Sequence, residues 1–189
     1  SHVVHPAAQK VTFVPLVGGV GRVRMELHAN SLAESLSRIY DGKFVPLHAP
    51  ARVSSRNIRD ELLKEDSLLP AIYLTQKLDI AVVGIGYPNE KSAIMATGYF
   101  KENEIESLID RKVAGELCMQ FYDIYGDTAP YKDDNNVIGM DISMLRSVPR
   151  SIGIAGGVEK LRAVRGAING HYINTLITDI ECAEALISE

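Results

Sequence analysis

The sequence predicts an α/β fold with a mostly parallel sheet. Three observations lead there. Short apolar, β-branched runs alternate with amphipathic helical stretches, the pattern of βαβ units. Three of these runs end in glycine, at Gly18-Gly19, Gly84-Ile85-Gly86 and Gly156-Gly157. Residues 79–86 are almost continuously apolar, as a parallel strand covered on both faces should be. In open α/β sheets ligands bind beyond the carboxyl ends of the strands, so three glycine loops at such ends predict one shared pocket.

Residues 1–10 read as a tail, with Ser1-His2 as a tag remnant. Residues 11–17 form the first strand. Pro15 puts a bulge or the strand's end there, because proline cannot donate to a ladder. Asn30 or Ser31 caps the next helix, with Glu34 three residues after Ser31 as in a capping box. Leu32, Leu36, Ile39 and Tyr40 share one face of it, and Asp41-Gly42 ends it. A strand over 44–48 follows, then two helical stretches carrying Ile58, Leu62 and Leu63, and Leu69, Ile72 and Tyr73. After the strand at 79–86 come a loop and a short helix near 104–109. Residues 115–123 read as one strand, 125–136 as a polar surface excursion or hairpin turn, and 137–140 as a short strand. Met144 and Leu145 belong to a short helix that ends before Pro149. The run 151–155 leads through Gly156-Gly157 into a helix with Val158, Leu161, Val164 and Ile168 on one face. The last strand is 173–177. Thr178 caps the final helix, with Ile180, Ala183, Leu186 and Ile187 pointing inward.

Composition narrows the function. The 189 residues are 46% hydrophobic and 23% charged, enough apolar content for one large domain with a sizeable core. The net charge of −4 argues against a nucleic-acid footprint on this chain. No apolar run approaches the length of a membrane span, and the N-terminus lacks a signal-peptide apolar region. Cys118 and Cys182 sit in apolar patterns and read as buried thiols of a reducing cytosol, with a disulfide as the other reading. The spaced dinucleotide fingerprint, a Walker A loop, a nucleophile elbow and metal-ligand spacing are all missing, so no cofactor or metal is expected.

The candidate chemistry centres on Gly156-Gly157-Val158-Glu159-Lys160. Glycine N–H groups and a helix start favour an anion, and Lys160 falls in the first helical turn. That makes it the rim of a pocket for an anionic, phosphorylated small molecule. His28 and Asn30 either hydrogen-bond a ligand or serve as loop residue and helix cap. Glu116 and Asp123 either accept hydroxyls, act as a general base, or face solvent. Asp179 serves the last helix N-terminus or faces the pocket. Arg22, Arg24, Arg52, Arg56 and Arg59 are cationic contacts or solvated surface.

The blocks around Val14–Gly21, Leu27-His28-Ala29-Asn30, Leu47–Ala51, 79–86, Ile154–Lys160 and Leu176-Ile177-Thr178-Asp179 appear in an order that resembles the C-terminal effector-binding domain of SorC/DeoR-type bacterial transcriptional regulators. The resemblance implies a Rossmann-like three-layer sandwich related to glucosamine-6-phosphate deaminase and ribose-5-phosphate isomerase. It implies a cytoplasmic, non-enzymatic sensor of a phosphorylated sugar or sugar-like metabolite. The sensor would act as a homodimer or homotetramer and reach operator DNA through an N-terminal helix-turn-helix. By position it assigns Lys160 to a ligand phosphate, Glu116 to sugar hydroxyls and His28 to a polar ligand contact. Gly18, Gly19, Gly84, Gly86, Gly156 and Gly157 become the walls. It also implies that residues 11–189 are the effector domain, without the helix-turn-helix and the first phosphate-loop unit. A sugar-phosphate isomerase or deaminase on the same fold, with Glu116 or Asp123 as base, is the alternative.

Overall fold

The computed structural model describes residues 10–19, 28–89 and 98–188. Most of the tail (residues 1–9), Gly21, Arg22 and Arg24 lie outside the described residues. The chain divides into two compact units, Ser1–Gln76 with Asn136–Met140, and Lys77–Asn135 with Asp141–Glu189.

The first unit holds β1 (Thr12–Phe13) and β2 (Lys43–Phe44), paired in parallel, and three helices, α1 (Ala29–Ile39), α2 (Arg56–Leu62) and α3 (Leu69–Thr75). Its core is Leu47, Leu68, Ala71 and Ile138, with Val14, Val45, Leu62 and Ile72 packed against it. The first strand is shorter than expected. Past Pro15 the chain makes isolated bridges, Val17 to Gly139 and Gly19 to Pro50, and the expected strand at 137–140 is reduced to such bridges. Neither Asn30 nor Ser31 caps α1. The N-cap is His28, and its side chain makes no capping bond. Instead the Asn30 amide clasps the Leu47 backbone. Nδ2 donates to its carbonyl and Oδ1 accepts its N–H, both at 3.0 Å. The buried face of α1 is Ala33 and Ser37, while Leu32 and Leu36 are exposed.

The second unit is built on a parallel sheet of β3 (Ile80–Gly84), β6 (Arg150–Ile154) and β7 (Thr175–Ile177), in the order β3-β6-β7. α4 (Glu102–Asp110) agrees with the helix expected near 104–109, and the Lys101 N–H donates to Glu104 Oε2 at its start. The expected strand over 115–123 is an antiparallel hairpin of β4 (Gly115–Leu117) and β5 (Gln120–Tyr122). Its two-residue turn is Cys118-Met119, with φ of 50° and 64°. Apolar residues with positive φ carry no glycine signal, so the sequence reads as one continuous strand.

α5 (Leu161–Asn169) packs through small residues. Ala163, Val164, Gly166 and Ala167 are buried, while Val158 and Ile168 are exposed, against the expected face. A Cβ at Gly166 would stand 2.6 Å from the Asp123 carbonyl, so the helix lies directly on the chain leaving β5. The buried tyrosines are satisfied there. Tyr122 donates its hydroxyl to the Ala163 carbonyl at 2.9 Å, and Tyr172 to that of Gly126 at 2.6 Å. The last helix, α6 (Ile180–Ser188), buries Cys182 and leaves Ile180 and Ile187 exposed, reversing two of its expected inward residues.

One face of the parallel sheet buries Ala81, Val83, Ser151 and Gly153. The other leaves Ile80 at 53%, Val82 at 58%, Ile154 at 44% and Ile177 at 54% exposure, so β3 is covered on one face rather than two.

Removing the Asn30 clasp tests the first unit. Asn30→Ala leaves the partly buried Leu47 N–H and carbonyl without these partners and costs about 1–3 kcal/mol. Urea unfolding monitored by far-UV circular dichroism measures it. An unchanged midpoint would show that the clasp contributes nothing to stability.

Candidate functional site

The parallel register lines up three strand ends. Gly84 pairs with Ile154, and Ile154 with Ile177. Ile85-Gly86, Ala155-Gly156-Gly157 and Thr178-Asp179 therefore leave the same carboxyl edge of the sheet. The β4–β5 hairpin joins this edge at Gly86. The Gly86 N–H donates to the Glu116 carbonyl at 3.0 Å, and the Glu116 N–H donates back at 2.8 Å.

Glu116 folds over that joint. A Cβ at Gly86 would lie 2.8 Å from Glu116 Cδ and would collide with Oε1, so a side chain at position 86 would force the Glu116 carboxylate to move. Oε2 accepts the Met119 N–H at 2.9 Å, which ties the carboxylate to the hairpin turn. Burial pushes the Glu116 carboxyl up to about 7, while the Met119 N–H and the charge of Lys160 pull it down. The partly buried Lys160 thus acts electrostatically on Glu116. Burial, with the Glu116 charge second, raises the Cys118 thiol to about 12. Its thiolate is scarce at neutral pH, which removes it as a nucleophile.

At Gly156-Gly157 the structure corrects the expectation of free backbone donors. The Gly157 N–H donates to Asp179 Oδ2 at 2.5 Å. A Cβ at Gly156 would lie 2.8 Å from the same oxygen, and one at Gly157 would run into the Glu159 carboxylate. Gly157 has φ 93° and ψ 138°, a conformation for glycine alone. Asp179 Oδ1 accepts the Cys182 N–H at 2.8 Å, so Asp179 and not Thr178 caps α6. The Cys182 and Gly157 N–H groups, in that order, hold its carboxyl below the ordinary range. Gly84 ends β3 exposed, with open space where a Cβ would be.

The second unit thus brings together Gly86, Glu116 and Lys160 at one edge with Gly156 and Gly157. Gly18, Gly19, His28 and Asn30 belong to the first unit. There Gly18 donates to the Ile138 carbonyl at 2.9 Å and Gly19 to that of Ala49 at 2.8 Å. A Cβ at Gly18 would meet the Ala49 and Pro50 carbonyls at 2.6 Å, and one at Gly19 would lie 3.8 Å from His28 Nδ1. Asp123 is a turn former, its Oδ1 accepting the N–H groups of Tyr125 and Asp127. Arg59 pairs with Asp60. A polar cavity of about 30 Å³ beside Gln120, Tyr131 and Asn135 has room for water alone. Among the described residues no three His, Cys, Asp or Glu side chains gather as a metal set.

A family model described as "Putative sugar-binding domain" matches residues 1–188. The chain belongs to this family. It is 30% identical to the sorbitol operon regulator of Klebsiella pneumoniae over 181 residues, covering 95% of this chain and 58% of that protein. It is 26% identical to the deoxyribonucleoside regulator of Bacillus subtilis over 181 residues, covering 95% and 57%. The crystal structure titled "Probable sor Operon Regulator" from Shigella flexneri superimposes with a TM-score of 0.88 at 30% identity, covering 97% of this chain and 73% of that one. This sugar-binding domain therefore shares the mixed α/β fold with parallel sheet of SorC- and DeoR-type neighbours. The chain spans a little over half the length of the curated relatives it matches. Among the described residues no helix is long and apolar enough to cross a membrane.

Sequence reasoning missed three partners in this domain: the Met119 N–H, Glu159 and the Asp179 contact with Gly157. Of these only Asp179 was singled out in the sequence, as serving the helix N-terminus or facing the pocket.

Glu116 makes stability depend on pH. Its carboxyl titrates near 4.5 when unfolded and near 7 when folded. Between these values the folded state binds more protons, so stability falls as pH rises through the window and levels off above it. Glu116→Gln removes this slope and gains on the parent by up to about 3 kcal/mol between about pH 5 and pH 8. Urea midpoints across that range check it. A difference independent of pH would show that Glu116 carries no raised pKa.

Proposed function

We propose that this chain is the effector-binding domain of a sugar-responsive bacterial transcriptional regulator. Its effector is a phosphorylated sugar or related metabolite, bound without catalysis and controlling operator binding through a homo-oligomer in the cytoplasm. The observation that carries this is the buried Glu116 carboxylate at the carboxyl edge of the parallel sheet, near enough to Lys160 to feel its charge, in a sugar-binding family. A carboxylate accepts hydroxyls and a lysine takes an anion, which together match a sugar phosphate. Gly86, Gly156 and Gly157 form the loop walls, and Gly84 lies beside them. The kinship in fold extends to the sugar-phosphate deaminase and isomerase superfamily. The enzyme alternative has no support, since the matched relatives are named as regulators. The ligand would act by its differential affinity for two states of the oligomer.

The domain organisation follows the same reading: residues 11–189 belong to the effector domain. In the whole regulator a first phosphate-loop unit and a helix-turn-helix precede it. The exposed row Ile80, Val82, Ile154 and Ile177 supports this, because parallel sheets are covered on both faces.

Thermal-shift measurements with hexitol and pentose phosphates beside their free forms test the function. A phosphorylated member raises the melting temperature with no turnover, and Lys160→Ala abolishes the preference for it over the free form. Turnover by the purified protein would overturn the sensor reading, and a preference unchanged in the variant would remove Lys160 from the site. The exposed sheet face predicts that a hydrophobic dye binds this chain strongly and binds a longer form that carries the preceding segment weakly. Equal binding by both would count against that organisation.

A further inference from the structure

The anion position over Gly156-Gly157 is already taken by the chain. The Gly157 N–H donates to Asp179 Oδ2 at 2.5 Å, and that oxygen stands 2.8 Å from where a Cβ of Gly156 would be. Glu159 lies over the other glycine. The second oxygen of Asp179 accepts the Cys182 N–H and caps α6. An incoming phosphate would need the same Gly157 N–H, would face two like charges, and would uncap a helix to displace Asp179. A hydroxyl meets no such barrier, because ionised carboxylates only accept and a hydroxyl donates.

We propose that Asp179 is a specificity-determining residue of the effector site, filling this anion position from within so that the loop meets the hydroxyl-bearing part of the effector and excludes its phosphate. The proposal rests on the effector-binding reading. It assigns the two ends of the ligand: hydroxyls toward Gly156-Gly157, and the phosphate away from Gly157, toward Lys160. Asp179 holds the loop and the start of α6 together, so the discrimination is built into the fold rather than into a mobile side chain.

Nuclear magnetic resonance of the ¹⁵N-labelled chain tests this at the Gly157 amide, with inorganic phosphate, a hexitol and its 6-phosphate as probes. In the parent protein inorganic phosphate leaves the Gly157 amide unmoved, while the hexitol 6-phosphate shifts it and leaves the Asp179 contact in place. Asp179→Ser keeps a neutral helix cap and removes the charge. In that variant inorganic phosphate shifts Gly157 saturably, with affinity raised at least about tenfold, as loss of a like charge at contact distance implies. Asp179→Asn gives a second neutral variant should the serine form not fold. Saturable binding of phosphate at Gly157 in the parent would overturn the proposal. So would variants that respond to phosphate as the parent does while hexitol 6-phosphate still binds, which leaves the effector reading standing. If no resonance of any form moves with the hexitol or its phosphate, the effector reading fails and the proposal with it.

Discussion

The five-residue parallel pairing of β3 with β6 decides where the chemistry of the second unit sits. It places Gly84 beside Ile154 and, through β7, beside Ile177, so three loops leave one edge together. A slip of one residue would send every side chain to the opposite face. Gly153 helps prevent that slip, since a Cβ there would stand 2.9 Å from both Ile85 and Ile173. Once the edge is set, the backbone exchange between Gly86 and Glu116 brings the hairpin to it, and the only carboxylate of the hairpin strands arrives beside the glycine loops.

Among the described residues, electrostatics at this edge set Lys160 against Glu116, Glu159 and Asp179. Glu116 is desolvated enough to hold a proton near neutrality, and Lys160 opposes that tendency. Asp179 and Glu159 stand over the glycine pair, where a bare loop would offer donors to an anion. On the proposed effector reading, an edge lined this way discriminates among the parts of a ligand: hydroxyl donors along most of it, and negative charge near the lysine.

The two units divide different tasks. In the first, Gly18, Gly19 and Asn30 secure loop backbones to the 47–51 segment and to Ile138. In the second, the sheet carries the edge where Gly86, Glu116 and Gly157 meet and leaves an apolar face open. A parallel strand so rich in isoleucine and valine carries the composition of a strand covered twice, yet Ile80 and Val82 are exposed.

The sequence by itself determined the element types, the parallel character of the sheet, the glycine ends of its strands and the family. These depend on local periodicity and on ordered motifs, which a linear reading captures. It also singled out Glu116 and Lys160. It misread the span 115–123, because the turn at Cys118-Met119 is made by residues with no turn signature. It misassigned the inward faces of α1, α5 and α6, because close helix packing here selects Ala33, Ala163, Gly166 and Cys182 over larger apolar neighbours. The contacts that define the site were decided by tertiary structure alone. Glu116 meets Gly86 from thirty positions away in the chain, and Asp179 meets Gly157 across a helix and a strand. Whether a glycine N–H is open to a ligand depends on which distant carboxylate reaches it first, and no local pattern encodes that.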